Sequence, residues 1–231
     1  MAFNLQTFKT RTLTAVLFAA FMLLGLLWNP WSFLLLFIVI HFGCWYELLK
    51  LAKKIYGEKY LVCCLFGLIY ISLPVLMMID LRFRGMSPAT GWVLNDQGKL
   101  IPCGIIFSIW INDTMAYIVG SLIGRTPFSK ISPKKTWEGT IGGAVLCVAT
   151  MAVLGYTIPI ARSIAVPHWI AIASICAIFG TAGDLLESKL KRMANVKDSG
   201  TFMPGHGGFL DRFDSMLLTI PFVWLYVNLI L

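Results

Sequence analysis

The chain has 231 residues, of which 58% are hydrophobic and only 13% charged, and its mean hydropathy is +0.79. Soluble domains run at about 45–50% apolar and about 25% charged residues, so the composition argues against a water-soluble enzyme, a disordered chain and a free nucleic-acid binder. The formal net charge of +8, from 19 Lys+Arg against 11 Asp+Glu, is then expected to mark one side of a membrane rather than a nucleic-acid surface.

The first charge-free run extends from Thr12 to Tyr46. A helix crossing a hydrocarbon core of ~30 Å needs about 20 residues at ~1.5 Å each, so this run is too long for one crossing and suits two. The break falls at Trp28-Asn29-Pro30-Trp31, where Asn-Pro signals a turn and tryptophans suit the interface. Further spans are read near 60–80, 101–123, 138–155, 164–187 and 208–231, seven in all. Residues 1–11 resemble the basic front of a signal peptide, but the long apolar stretch after them lacks a small-x-small cleavage site and is read as a retained first span. With the N-terminus cytoplasmic, fifteen of the 19 basic residues face the cytoplasm, and only Arg82, Arg84, Lys99 and Arg162 face the other side. The positive-inside rule selects that orientation. The expected fold is an all-α polytopic membrane helix bundle, one membrane domain over 1–231. Its N-terminal spans occupy 1–100, and the catalytic spans and cytoplasmic loops occupy 101–231.

The acids carry most of the functional signal. Glu58 and Asp96 read as loop charges, and Glu47 and Asp80 as span-end groups reaching interfacial water. Asp113 falls well inside the 101–123 span, where a carboxylate costs about 2.5–3.5 kcal/mol and so marks a site, with a helix–helix hydrogen bond as the plain alternative. Asp184, Glu187 and Ser188 lie at i, i+3 and i+4 and share a helix face. Asp211 and Asp214 stand one turn apart at the start of the last span, a pairing that exceeds what helix capping needs. Carboxylates on adjoining helices at one depth suit a hard divalent cation. Between these acids, Lys189, Lys191, Arg192 and Lys197 supply cationic donors, and Pro204-Gly205-His206-Gly207-Gly208 supplies a backbone able to turn N–H groups toward an anion. A second basic loop, Arg125–Glu138, carries Ser132-Pro133-Lys134-Lys135-Thr136-Trp137-Glu138; positive-inside decoration explains its lysines but not that frame. The six cysteines read as small buried hydrophobes, and His41 and His168 receive no role.

The run from Ser188 to Asp214, Ser-Lys-Leu-Lys-Arg-Met-Ala-Asn-Val-Lys-Asp-Ser-Gly-Thr-Phe-Met-Pro-Gly-His-Gly-Gly-Phe-Leu-Asp-Arg-Phe-Asp, closely resembles the signature of the phosphatidate cytidylyltransferases. Met203 stands where Ile or Leu is usual. Asn112-Asp113 with Tyr117 and Gly120, and Ser132–Gly139, resemble earlier motifs of the same family. The resemblance covers roughly 108–215 and implies a membrane enzyme that joins CTP to phosphatidate, giving CDP-diacylglycerol and pyrophosphate. It further implies dependence on Mg²⁺, with any second cation left open, and a homodimer that binds no nucleic acid.

On that reading Asp184, Asp211 and Asp214 hold the cation, and Asp113 assists. Lys134, Lys135, Lys191, Arg192, Lys197 and Arg212 grip the phosphates of the two substrates. Ser188, Lys189, Gly207 and Gly208 complete substrate binding, and His206 either orients a phosphate or holds the glycine turn. The expected location is a bacterial cell membrane with the site facing the cytoplasm. Alternatives are a CTP-dependent enzyme of another lipid (an isoprenoid phosphatidate analogue, or a lipid-alcohol kinase) and a secondary transporter. A transporter's acids should lie near the midplane, whereas Asp184, Asp211 and Asp214 are placed near one surface.

Overall fold

The structure is a computed structural model that describes residues 5–84, 96–202 and 207–231, with side chains described from residue 12 and, in the second stretch, from residue 98. The all-α reading holds: the described residues form helices and no named strand, apart from one isolated bridge between Pro127 and Thr136. Helix α1 (Leu5–Leu27) ends at the turn, and α2 (Pro30–Tyr56) begins with a reciprocal cap. Asn29 Oδ1 accepts from Ser32 N at 2.8 Å, while Ser32 Oγ accepts from Asn29 N at 3.1 Å. Pro30 then costs nothing at the first helical position, where no intrahelical donor is needed.

Gly57, at φ 57°, ends α2. The predicted 60–80 span is not one regular helix. It comprises a 3₁₀ stretch (Gly57–Val62), α3 (Cys63–Gly67), a π turn (Leu68–Ser72) and α4 (Leu73–Phe83). Pro74 stands at the second position of α4, separated from the π turn by Leu73 alone; lacking the N–H of a regular helix, it favours such a local widening. The remaining helices are α5 (Asp96–Ile123), α6 (Trp137–Thr157), α7 (Val166–Met193) and α8 (Leu210–Leu229). Helical segments therefore lie over every predicted span. By length and hydropathy, however, four stretches among the described residues suffice to cross a bilayer: Pro30–Phe83, Gly98–Ile123, Trp137–Thr157 and Val166–Met193. The first of these has 54 residues, far more than the roughly 20 of one crossing. Exposed Leu13, Leu17, Leu24 and Leu35, with Trp28 and Trp31 at the turn, present the apolar surface that lipid requires.

Two compact units make up the chain, residues 1–72 with 190–213 and residues 73–189 with 214–231. In the first, Met22, Leu26, Phe33, Phe37, Ile40 and Leu48 form a buried core. The second buries Ile101, Ile105, Met151, Trp169, Ile172, Leu217 and Ile220. Its central contact is the pairing of α5 with α6. Gly139 and Gly143, four apart and so on one helix face, press against α5: a Cβ on Gly143 would lie 2.7 Å from the Ala116 backbone nitrogen, and one on Gly139 would lie 2.9 Å from Gly120 Cα. Small residues at this spacing let two membrane helices approach backbone to backbone. That approach sets the start of α6 beside the polar residues of α5.

Gly143→Leu is expected to force the two helices apart and to destabilise the protein by about 1–3 kcal/mol, as overpacking does. Thermal unfolding in detergent, followed by tryptophan fluorescence, checks this.

Candidate active site

In the second unit the loop between α5 and α6 is folded upon itself. Phe128 N donates to Lys135 O at 2.8 Å, Trp137 N to Thr126 O at 3.0 Å, and Lys135 N to Ser132 O at 3.1 Å. The Phe128 ring stands edge-on to Trp137, centroids 4.5 Å apart. Thr136 caps α6, its Oγ1 accepting from Gly139 N at 3.1 Å. Glu138 reaches back and accepts from Arg125 N at 3.2 Å and from Thr126 Oγ1 at 2.8 Å. The Ser132–Gly139 frame that basic decoration left unexplained is thus a compact scaffold, with Ser132, Thr136, Trp137, Glu138 and Gly139 all hydrogen-bonded. It presents Lys135, whose Nζ pairs with Asp184 of α7, while Lys134 remains exposed.

Beside this pair lies a cleft of about 450 Å³, within the roughly 300–1,000 Å³ typical of small-molecule sites. Its walls include Asn112 and Asp113 from α5, Ser132, Lys134, Lys135 and Thr136 from the loop, and Asp184 from α7. Asp113 is exposed, whereas Asn112 is buried and its Oδ1 has no hydrogen-bond partner among the described residues.

Asp184 does not stand alone. Asp214, at the start of α8, is only 4% exposed and interacts electrostatically with Asp184 and with the fully buried Glu187. The two helices approach closely because position 183 has no side chain: a Cβ there would lie 3.0 Å from Ser215 Cα. Ser215 N donates to Asp214 Oδ1 at 2.7 Å. Three carboxyl groups crowded in an apolar setting are unfavourable unless their charge is met, and Lys135 supplies one cation. Among the described residues no three His, Cys, Asp or Glu side chains converge as a metal cage. Magnesium needs no such cage, since it usually takes one or two carboxylates together with water and substrate phosphate. Asp184 and Asp214 are two carboxylates that could serve such an ion.

In the first unit the structure joins Lys191 to Asp211, Nζ to Oδ1 at 2.6 Å. The other oxygen of Asp211 accepts from Ser199 N at 2.9 Å, Ser199 Oγ at 2.9 Å and Gly208 N at 2.8 Å. Part of the glycine turn, with Gly207 at φ 83°, is therefore folded around a carboxylate of the chain itself. Arg192 is exposed and its Nη1 donates to Val196 O at 3.2 Å, closing the end of α7. Lys189, Lys197 and Arg212 are exposed and Ser188 is half-buried. His206 lies outside the described residues.

Sequence reasoning missed Glu47. Read as a span-end group reaching interfacial water, it is instead 3% exposed. It accepts from Ser199 Oγ at 2.6 Å and from Phe209 N and Leu210 N, both at 2.9 Å. Nothing local announces this, because its partners stand 152 to 163 residues away. Asp80 is exposed as expected, and it accepts from Trp224 Nε1 at 2.7 Å.

The family model described as the cytidylyltransferase family matches residues 59–230. A phosphatidate cytidylyltransferase of Rickettsia felis is 34% identical over 96% of this chain and 92% of its own length. The protein of that name in Bacillus subtilis is 43% identical over 52% of this chain and 45% of its own length. Phosphatidate cytidylyltransferase 5, chloroplastic, of Arabidopsis thaliana is 44% identical over 55% of this chain and 30% of its own length. The matched region thus spans less than half the length of the latter two relatives.

Glu138→Ala is expected to loosen the loop while leaving the helices intact. Limited trypsin digestion in detergent should then cut after Lys134 and Lys135 severalfold faster than in the wild type.

Proposed function

The chain belongs to the cytidylyltransferase family, and from that premise we propose that it transfers the cytidylyl group of CTP to phosphatidate, giving CDP-diacylglycerol and pyrophosphate. The observation that carries the reading is the pairing of Lys135 with Asp184 on the wall of a cleft whose other polar groups come from the Ser132–Thr136 scaffold and from Asn112 and Asp113. The names of the relatives supply the substrates.

In the reaction a lipid phosphate oxygen attacks the α-phosphorus of CTP, the bond from that phosphorus to the bridging oxygen breaks, and pyrophosphate leaves in line. The attacking oxygen is already anionic, so no side-chain nucleophile is needed, and the work of the chain is positioning and charge neutralisation. Lys135 exchanges Asp184 for an incoming phosphate, and exposed Lys134 adds a second cation beside it. The Ser132 and Thr136 hydroxyls offer further donors on the same wall. Lys191 offers another cationic donor, oriented by Asp211. Asp184 and Asp214 are the acids assigned to Mg²⁺, with Asp113 as a further acid of the cleft; when bound, the metal neutralises charge on the nucleotide phosphates. Asp211, the third acid of the motif, already has both oxygens engaged, so in this proposal it holds Lys191 and the loop. The enzyme acts as a homodimer in a bacterial cell membrane, with its site on the cytoplasmic face where CTP is found. The one-sided distribution of basic residues supports that orientation.

The test is an assay of purified protein with phosphatidate vesicles, Mg²⁺ and CTP labelled at the α-phosphorus. Label should pass to the lipid; transfer of γ-label instead would indicate a lipid kinase. Lys135→Ala and Asp214→Asn should each lower the rate by roughly 10²–10³-fold, the scale of losing one electrostatic stabiliser of the transition state. Chelation should abolish the activity and added Mg²⁺ restore it. Exposed Lys54 is the control, and Lys54→Ala should leave the rate unchanged. Activity in Asp214→Asn within a few-fold of wild type at every Mg²⁺ concentration would sink the metal assignment.

A further inference from the structure

Glu47 makes a set of bonds that neither the reaction nor local helix stability explains. It lies within α2, and its carboxylate is buried. Oε1 accepts from Phe209 N, and Oε2 from Leu210 N and from Ser199 Oγ. The two amides belong to the start of α8, among the donors that a helix leaves unsatisfied at its N-terminus. A carboxylate is electrostatically favoured there, but such a cap normally comes from a neighbouring residue in the chain. Here it comes from a helix 162 positions earlier. Burying a charge to do so costs several kcal/mol unless every lone pair is met, and a shorter local cap would avoid that cost.

The loop is shaped around this carboxylate. A Cβ at Gly200 or at Gly208 would overlap the Glu47 carboxyl oxygens, so two of its glycines are places where only a bare backbone fits. Ser199 extends the set. Its hydroxyl lies 2.6 Å from Glu47 Oε2 and 2.9 Å from Asp211 Oδ2. One hydroxyl carries one proton, so the two carboxylates share a single bridging donor. Asp211 in turn holds Lys191 at 2.6 Å. The chain Glu47, Ser199, Asp211, Lys191 is thus continuous, and its first member anchors it on α2.

We propose that Glu47 is a positioning residue for cytidylyl transfer: it fastens Ser199 and residues 208–211 to α2 and thereby fixes the orientation of Asp211 and of the Lys191 ammonium. It touches no substrate. This proposal rests on the function given above for its consequence in the reaction, while the fastening itself is a property of the fold.

The experiment compares wild type, Glu47→Gln, Glu47→Asp and Ser199→Ala, each as the full chain purified in detergent. Three quantities are read: amide hydrogen exchange over 199–211, kcat and KM for CTP with phosphatidate micelles, and the unfolding temperature. Gln keeps the size of Glu but places an NH₂ donor against the two amides, and Asp keeps the charge but is one methylene short. For Glu47→Gln we expect severalfold faster exchange confined to 199–211, and a fall in kcat of roughly 10²-fold, the scale of a misplaced reacting group. KM for CTP should stay within about threefold, and the unfolding temperature should be nearly kept. Glu47→Asp should recover part of kcat, because charge matters as well as reach. Ser199→Ala keeps the cap and breaks the bridge, so it should lose kcat severalfold with KM unchanged.

Unchanged exchange in Glu47→Gln, or kcat within twofold of wild type, would overturn the proposal. Where Glu47→Gln does not fold, Ser199→Ala decides, and full kcat in that variant overturns it equally. A wild type that forms no CDP-lipid defeats the functional reading instead. The fastening is then judged by exchange alone, and protection that survives Glu47→Gln rejects it.

Discussion

A carboxylate on a membrane-spanning helix is unfavourable by about 2.5–3.5 kcal/mol at the bilayer centre, and this constraint organises the described structure. The chain has only 11 acids, and several of those on its apolar helices are met where they stand. Asp184 has Lys135, Asp211 has Lys191 and two backbone amides, and Glu47 has a hydroxyl and the first amides of α8. Asp80 takes an indole N–H. In each unit a loop thus returns a cation or a donor to an acid: Lys135 to Asp184 in one, Ser199 and Gly208 to Asp211 in the other. Two cations, Lys135 and Lys191, are each bound to a carboxylate.

The second requirement is close approach. Membrane helices gain little from burying apolar surface against one another, because lipid is equally apolar, so packing depends on small residues. Gly139 and Gly143 let α6 meet the backbone of α5, and Gly183 does the same between α7 and α8. The same contacts define the cleft. Thr136 can cap α6 and line the pocket only because the start of that helix lies against α5. Packing and site construction are one event here, not two.

Much of this was legible in the sequence. Charge-free length, turn residues and interfacial tryptophans located helical segments correctly, and the Asn29-Pro30 break is a capped helix start as its residues require. The acids Asp113, Asp184 and Asp214 stand out by their position in apolar runs, and two of them line one cleft with Lys134 and Lys135. The irregular path over 57–72 was not legible, since hydropathy reports apolar length but does not distinguish α from 3₁₀ or π geometry. Nor was the purpose of Gly208. A glycine-rich run before a helix reads as an anion nest, yet the amide at 208 is taken by Asp211 and the space of its missing side chain by Glu47.

By itself, then, the sequence determined the solvent in which this protein folds, the approximate places of its helices, and the clusters of acids and basic residues from which the cleft is built. Those properties follow from composition, periodicity and short motifs, all of which are local. Only the tertiary structure decided which charge answers which. The partners of Glu47 lie 152 to 163 residues away, and Lys135 meets an acid 49 residues further on. Such pairings depend on how helices are brought together in space, and no pattern of neighbouring residues encodes them.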